Sequence, residues 1–179
     1  PPPPPPPPPP FNTHTPQTAI RISLVGSDMC IRDSYDTDGS SEGVGNWAVM
    51  AAGSWGNNGE TPVYFSAYSR YWLGWDEPIT VEDDVTNLVI EPVSEGGNIY
   101  KLPIPGNWSN SEQYFLLENR QQTRYDTYLP GEGLLIWHID EEIMFSKWSS
   151  NTVNNDEDHK GMDLELSLIH ISEPTRLRR

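Results

Sequence analysis

In GLLIWHID (Gly133 to Asp140), an imidazole and a carboxylate stand two residues apart. Strand alternation puts Leu134, Ile136, His138 and Asp140 on one face and Leu135, Trp137 and Ile139 on the other. Both faces carry apolar residues, so a central strand is expected. His138 and Asp140, side by side, could tune an imidazole or bind a metal. The commoner outcome is a buried histidine hydrogen-bonded for structure, and that is the role expected here. In QYFLLENRQ, Glu118 and Arg120 share a strand face and are expected to form an ion pair. Asp140, Glu141 and Glu142 are adjacent on one chain, so they do not flank a substrate as a glycosidase's acid and base must.

Metal chemistry finds few ligands. The four histidines are His14, His138, His159 and His170, and no two are four apart. The His-Glu-x-x-His pattern, which sets two zinc ligands and a general base on one helical face, is therefore absent. The single cysteine, Cys30, has no disulfide partner within the chain. Oxygen-rich clusters exist instead. Asp36, Asp38, Ser40 and Glu42 alternate in YDTDGSSEG, where a turn could wrap a hard cation such as calcium. Counted from Asp36, the sixth position is Ser41 and the twelfth Trp47, which rules out an EF-hand. Asn154, Asn155, Asp156, Glu157 and Asp158 form a second cluster, and it fails the same test at His159. Calcium in another geometry competes at both places with the plainer reading that Asp, Asn and Ser cap surface turns. There is no Gly-x-Ser-x-Gly and no phosphate-binding glycine loop, so nucleotide binding and that form of nucleophilic catalysis drop out.

These residues need elements to place them. Residues 35–58 are rich in Gly, Ser and Asp, and predict loops and tight turns. A helix follows, with Thr61 as cap, Pro62 in the first helical position and Gly74 as a left-handed terminator. Along it Tyr64, Ala67, Tyr68, Tyr71, Trp72 and Trp75 recur at three- and four-residue steps, and Trp75 can fold back past the cap. After Pro78 the period becomes two. Strands are expected at Asn87 to Val93, Asn98 to Ile104, Gln113 to Asn119 and Gly133 to Asp140, separated by Gly96-Gly97, Pro105-Gly106 and Pro130-Gly131. The fold class is α+β, one helix with its preceding loop followed by a β-rich antiparallel region.

The 179 residues carry 11 basic and 26 acidic side chains, a net charge of −15. Such a surface repels phosphate, which argues against nucleic acid or an anionic membrane as partner. No apolar run approaches the roughly 18 residues that a membrane span needs. All seven tryptophans fall between Trp47 and Trp148, enough aromatic mass for a core. An acidic, Trp-rich, cysteine-free centre suits a secreted protein, expected to be monomeric.

The ends differ in kind. Pro1 to Pro10 suit a polyproline II rod, and no signal-peptide pattern follows them. SLVGSDMCIRDS (Ser23 to Ser34) and LSLIHISEPTRLRR (Leu166 to Arg179) resemble peptides translated from sequencing-adaptor DNA. Four parts are expected: a non-native, disordered 1–34, a first native part at 35–78, a β-rich part at 79–165, and an adaptor-like tail at 166–179. The expectation is a fragment of a longer protein.

The stretch YDTDGSSEGVGNWAVMAAGSWG, followed by TPVYFSAYSRYWLGW, resembles the immune-inhibitor-A-type secreted zinc metalloproteases. QYFLLENRQ, LPGEGLLIWHIDE and NDEDHKGMDLE resemble the same family, in the same order. The resemblance implies a zinc endopeptidase acting on protein and peptide substrates, in which zinc polarises the scissile carbonyl and activates water. In that family a His-Glu-x-x-His helix continues to Gly-x-x-Asp, whose aspartate is a third ligand. By register this helix precedes Tyr35, and Asp33 falls at the aspartate's position, although Ile31 and Arg32 depart from the family's Leu-Pro. Met50 matches the methionine of the metzincin-like turn that floors the metal's histidines without coordinating, flanked by Trp47 and Trp55. The helix from Pro62 would close the catalytic domain, making 35–78 its C-terminal part. Calcium at Asp36, Asp38 and Glu42 would hold the loop leading to the turn, an inference from residue types alone. Without its zinc helix the chain as given is expected to be inactive. Two other readings remain. One is a calcium-stabilised β module binding protein or glycan through exposed Trp108, Trp148 and Tyr125. The other is a pseudoprotease.

Overall fold

A computed structural model describes residues 43–104 and 113–165, all of which fall within one compact unit. The frame is a five-stranded sheet in the order β1-β2-β3-β4-β5, so every strand lies beside its neighbour in sequence. The strands are β1 (Ile79–Thr80), β2 (Tyr100–Pro103), β3 (Gln113–Arg120), β4 (Gly133–Asp140) and β5 (Met162–Glu165). All pairings are antiparallel except the first, where β1 runs parallel to β2, which makes the expected antiparallel sheet a mixed one.

The alternation in β3 and β4 decides what is inside. Tyr114, Leu116, Glu118 and Arg120 turn inward from β3, and Leu135, Trp137 and Ile139 turn inward from β4. Register sets Leu116 opposite Trp137 and Tyr114 opposite Ile139, so the large side chains interlock on one face. Met162 of β5 joins them opposite Ile139. Onto this face pack helix α1 (Ala67–Trp72), through Ala67 and Tyr68, and the 43–51 loop, through Val44, Ala48 and Ala51. Residues from both sides of Pro78 thus share one core.

Helix α1 starts five residues later than its sequence pattern predicts. The reason is competition for backbone donors: Val63 N–H bonds to Gly53 O at 3.1 Å and Tyr64 N–H to Asp126 Oδ1 at 3.0 Å, which keeps this stretch extended. The cap is Ser66, whose Oγ accepts from Ser69 N–H at 3.2 Å. The C-terminus is as expected. Gly74 has φ +67°, Gly74 N–H bonds to Tyr71 O and Trp75 N–H to Arg70 O, a Schellman closure. Trp75 folds back onto Phe65, with ring centroids 5.1 Å apart. The aromatic residues do not form one buried face, because Trp72 is half exposed and leans on Phe145 and Trp148.

Residues 87–93 are not a strand. Asn87 has φ +61°, Val89 is 70% exposed, and the stretch meets β3 through an isolated bridge from Pro92 to Asn119 and an Asn119 Nδ2–H bond to Ile90 O at 2.7 Å. Strands β1 and β5 and helix α2 (Glu141–Lys147) escaped the sequence pattern. Asp140 ends β4 and caps α2 in one step, its Oδ1 accepting from Ile143 N–H at 3.2 Å.

The position of the cap is testable by urea melts. Ser66→Ala should cost about 1 kcal/mol, whereas Thr61→Ala should stay within about 0.5 kcal/mol of the parent.

Candidate functional site

The turn that carries Met50 is tight, closed by Ala51 N–H to Ala48 O at 3.0 Å. Met50 is 7% exposed, between a fully buried Ala48 and a buried Ala51. Small residues let this turn sit close to its neighbours. A Cβ at Gly53 would lie 2.5 Å from Val63 Cγ2 and 2.6 Å from Ala48 O, so only glycine fits. Trp47 packs against the core, whereas Trp55 is 68% exposed.

Behind the turn lies a buried charge network. Glu118, Arg120 and Asp126 are fully buried, and Arg70 nearly so. Arg120 grips Asp126 with two parallel bonds, Nε to Oδ2 and Nη2 to Oδ1, both 2.6 Å. Its Nη1 donates to Glu118 Oε1 at 3.2 Å and, at a longer 3.5 Å, to the carbonyl of Trp47. Its Nη2 also reaches Tyr64 O at 3.5 Å. Glu118 Oε1 accepts Trp137 Nε1–H at 2.8 Å, and its Oε2 accepts Arg70 Nη2 at 3.0 Å. Arg70 Nε lies 2.8 Å from Asp76 Oδ2, an ion-pair distance but out of line for a hydrogen bond. Burial opposes the Arg120 charge, yet Glu118 and Asp126 more than offset it and raise its pKa above the ordinary value. The sequence pattern reaches Glu118 and Arg120. Asp126, Arg70 and the Trp137 indole complete the set from other elements, and an arginine on an inward strand face was the one sign that further acceptors were needed.

Asp140 has a different histidine from the one beside it in sequence. His159 Nε2 lies 3.0 Å from Asp140 Oδ2, which also accepts Gln113 Nε2–H at 2.6 Å. His138 is half-buried rather than buried, and its ring meets Phe115 at 5.4 Å. Of the second oxygen-rich cluster, Asn154 turns inward, its Oδ1 accepting Met162 N–H at 3.1 Å. Asp156 Oδ1 accepts Asp158 N–H at 3.2 Å in a local turn. Among the described residues no three His, Cys, Asp or Glu side chains gather to hold a metal ion, so these residues do not fit a catalytic zinc. Asp33, Asp36, Asp38, Glu42 and Trp108 lie outside the described residues. Trp148 and Tyr125, expected as exposed groove aromatics, are half-buried against Trp72 and Tyr64.

The fold is α+β, and it buries Met50 on the tight Ala48–Ala51 turn. Residues 17–76 match the family model described as immune inhibitor A peptidase M6, catalytic domain. The match begins ahead of Tyr35, inside the part set aside as non-native, and stops before β1. It supports a metalloprotease family, whose substrates are proteins. No curated protein and no solved structure matches the chain. No helix among the described residues is long and apolar enough to cross a membrane.

Two outcomes follow. Asp126→Asn strips Arg120 of its bidentate partner while the charge stays buried, and should lower unfolding free energy by about 3–5 kcal/mol. The part-exposed Lys160–Asp163 pair is the contrast, and Lys160→Ala should cost at most about 1 kcal/mol in the same denaturant melts. The second concerns Tyr114, whose pKa is raised by burial and by its 2.7 Å bond to Glu141 Oε1. The folded chain thus keeps a proton that the unfolded chain releases near pH ~10, so this contribution is complete below about pH 10 and is lost as pH rises further. Tyr114→Phe should flatten the fall in urea midpoint between about pH 9 and about pH 11.

Proposed function

We propose that the chain carries the methionine-turn side of the catalytic domain of a secreted, zinc-dependent endopeptidase of the immune inhibitor A type. One coincidence supports this most. The family match over residues 17–76 spans Met50, and Met50 lies buried on a tight turn. The zinc ligands and general base belong to a helix ahead of Tyr35 in the longer protein, with Asp33 at the register of the third ligand. The 179 residues contain no His-Glu-x-x-His, and the described donors do not assemble a zinc site. No catalytic step is therefore assigned to this chain, which supplies the floor and back wall and does not itself hydrolyse peptides. Asp36, Asp38 and Glu42 would bind calcium and hold the loop entering the turn. The Asn154–Asp158 segment is better explained by the Asp156 turn bond and by the bond from Met162 N–H to Asn154.

The test has two arms. The chain as given should purify without stoichiometric zinc and leave a casein substrate uncut. The longer protein, recovered by sequencing the gene upstream of the Tyr35 codon, should carry an in-frame His-Glu-x-x-His and cleave casein in a chelator-sensitive way. An intact upstream reading frame whose protein binds no zinc and cuts nothing sinks the proposal, and substituted ligands in that helix would identify a pseudoprotease.

A further inference from the structure

We propose that the Arg120–Asp126 pair is the positioning element of the Met50 turn. The β-rich half, which lies outside the family match, is then a working part of the catalytic domain and not an appended module. The inference rests on reading Ala48–Ala51 as the turn beneath the zinc. Its basis is a pair of anchors placed symmetrically about Met50. Three residues before it, the Trp47 carbonyl accepts from Arg120 Nη1. Three residues after it, the Gly53 carbonyl accepts from Val63 N–H. The next residue, Tyr64, is tied through its N–H to Asp126 Oδ1 and through its carbonyl to Arg120 Nη2. Both arms of the turn therefore run back to one guanidinium–carboxylate fork. Arg120 has five N–H groups in a rigid plane, and all five find acceptors: two Asp126 oxygens, Glu118 Oε1 and the two carbonyls. Glu118 extends the hold to α1 through Arg70 and to β4 through Trp137. A planar fork of this kind fixes direction as well as distance, which a lysine ammonium cannot do.

The test uses the full chain labelled with ¹³C-methyl methionine, the Met50 resonance being assigned by its loss in Met50→Leu. Arg120→Lys retains the charge and removes the fork. Expected is a moved or broadened Met50 resonance while Met144, buried in α2, keeps its own. Val153→Ala, a core truncation distant in sequence from the fork, should lower stability and leave Met50 unchanged. A folded Arg120→Lys chain with an unaltered Met50 resonance overturns the proposal. Should Arg120→Lys not fold, amide exchange in the unaltered chain decides. The Ala51 and Val63 amides should open together with those of β3, and independent, faster opening of Ala51 overturns the coupling. Neither readout needs zinc, so it is separate from the functional test. A coupled turn in a longer protein without metalloprotease activity removes the catalytic meaning of the brace. An uncoupled turn in an active one removes only the brace.

Discussion

Two arginines and two carboxylates are buried behind one sheet, and everything nearby must accommodate them. An unpaired guanidinium in an apolar interior is prohibitively costly, and partners that satisfy only part of it leave most of that penalty in place. Arg120 projects from the inward face of β3 because alternation leaves it no alternative. The fold therefore has to deliver Asp126 to it, and the short turn of Arg124–Tyr128 does so. It also has to deliver two backbone carbonyls, and these come from the loop before Met50 and from the extended approach to α1. Glu118, two residues earlier on the same face, requires Arg70 and the Trp137 indole in turn. The charges balance among themselves. What they secure is geometry: β3, β4, α1 with its extended approach, the Arg124–Tyr128 turn and the loop before Met50 must all come together to satisfy this network.

This constraint also explains which parts of the structure could be read from sequence. Strands β3 and β4 were legible because a period of two over eight residues, bounded by turn residues, admits few alternatives. The end of α1 was legible because Gly74 and the residues after it form a self-contained closure. Its beginning was not, because the donor of Tyr64 is claimed by an aspartate 62 residues away. Helix α2 was hidden by its own chemistry. Glu141 and Glu142 look like paired carboxylates, whereas they are the acidic first turn of a helix capped by Asp140. The candidate site shows the same division. The shared face of Glu118 and Arg120 follows from alternation, but the partners that complete it are brought by topology. Asp140 makes the point most simply, since it is paired with His159, which lies beyond helix α2 and the loop after it.

The methionine turn gains its significance from this combination of local and remote control. Locally it needs small residues: Ala48 and Ala51 leave no bulk to jam the turn, and Gly53 tolerates contacts that any side chain would break. Small residues, however, also give little apolar area with which to hold a loop, at roughly 25 cal/mol per Å² buried. Val44 and Trp47 pack the start of the loop into the core, but the alanines and glycine around Met50 add little to fix its height. Directional hydrogen bonds to carbonyls on both sides of Met50 meet that need, because they act on the backbone that the small side chains leave accessible. A flat, rigid donor such as guanidinium suits the task, and the sheet supplies it from β3. The loop can therefore be both closely packed and accurately placed, with the close packing set by its own residues and the placement set by a strand some seventy residues further along the chain.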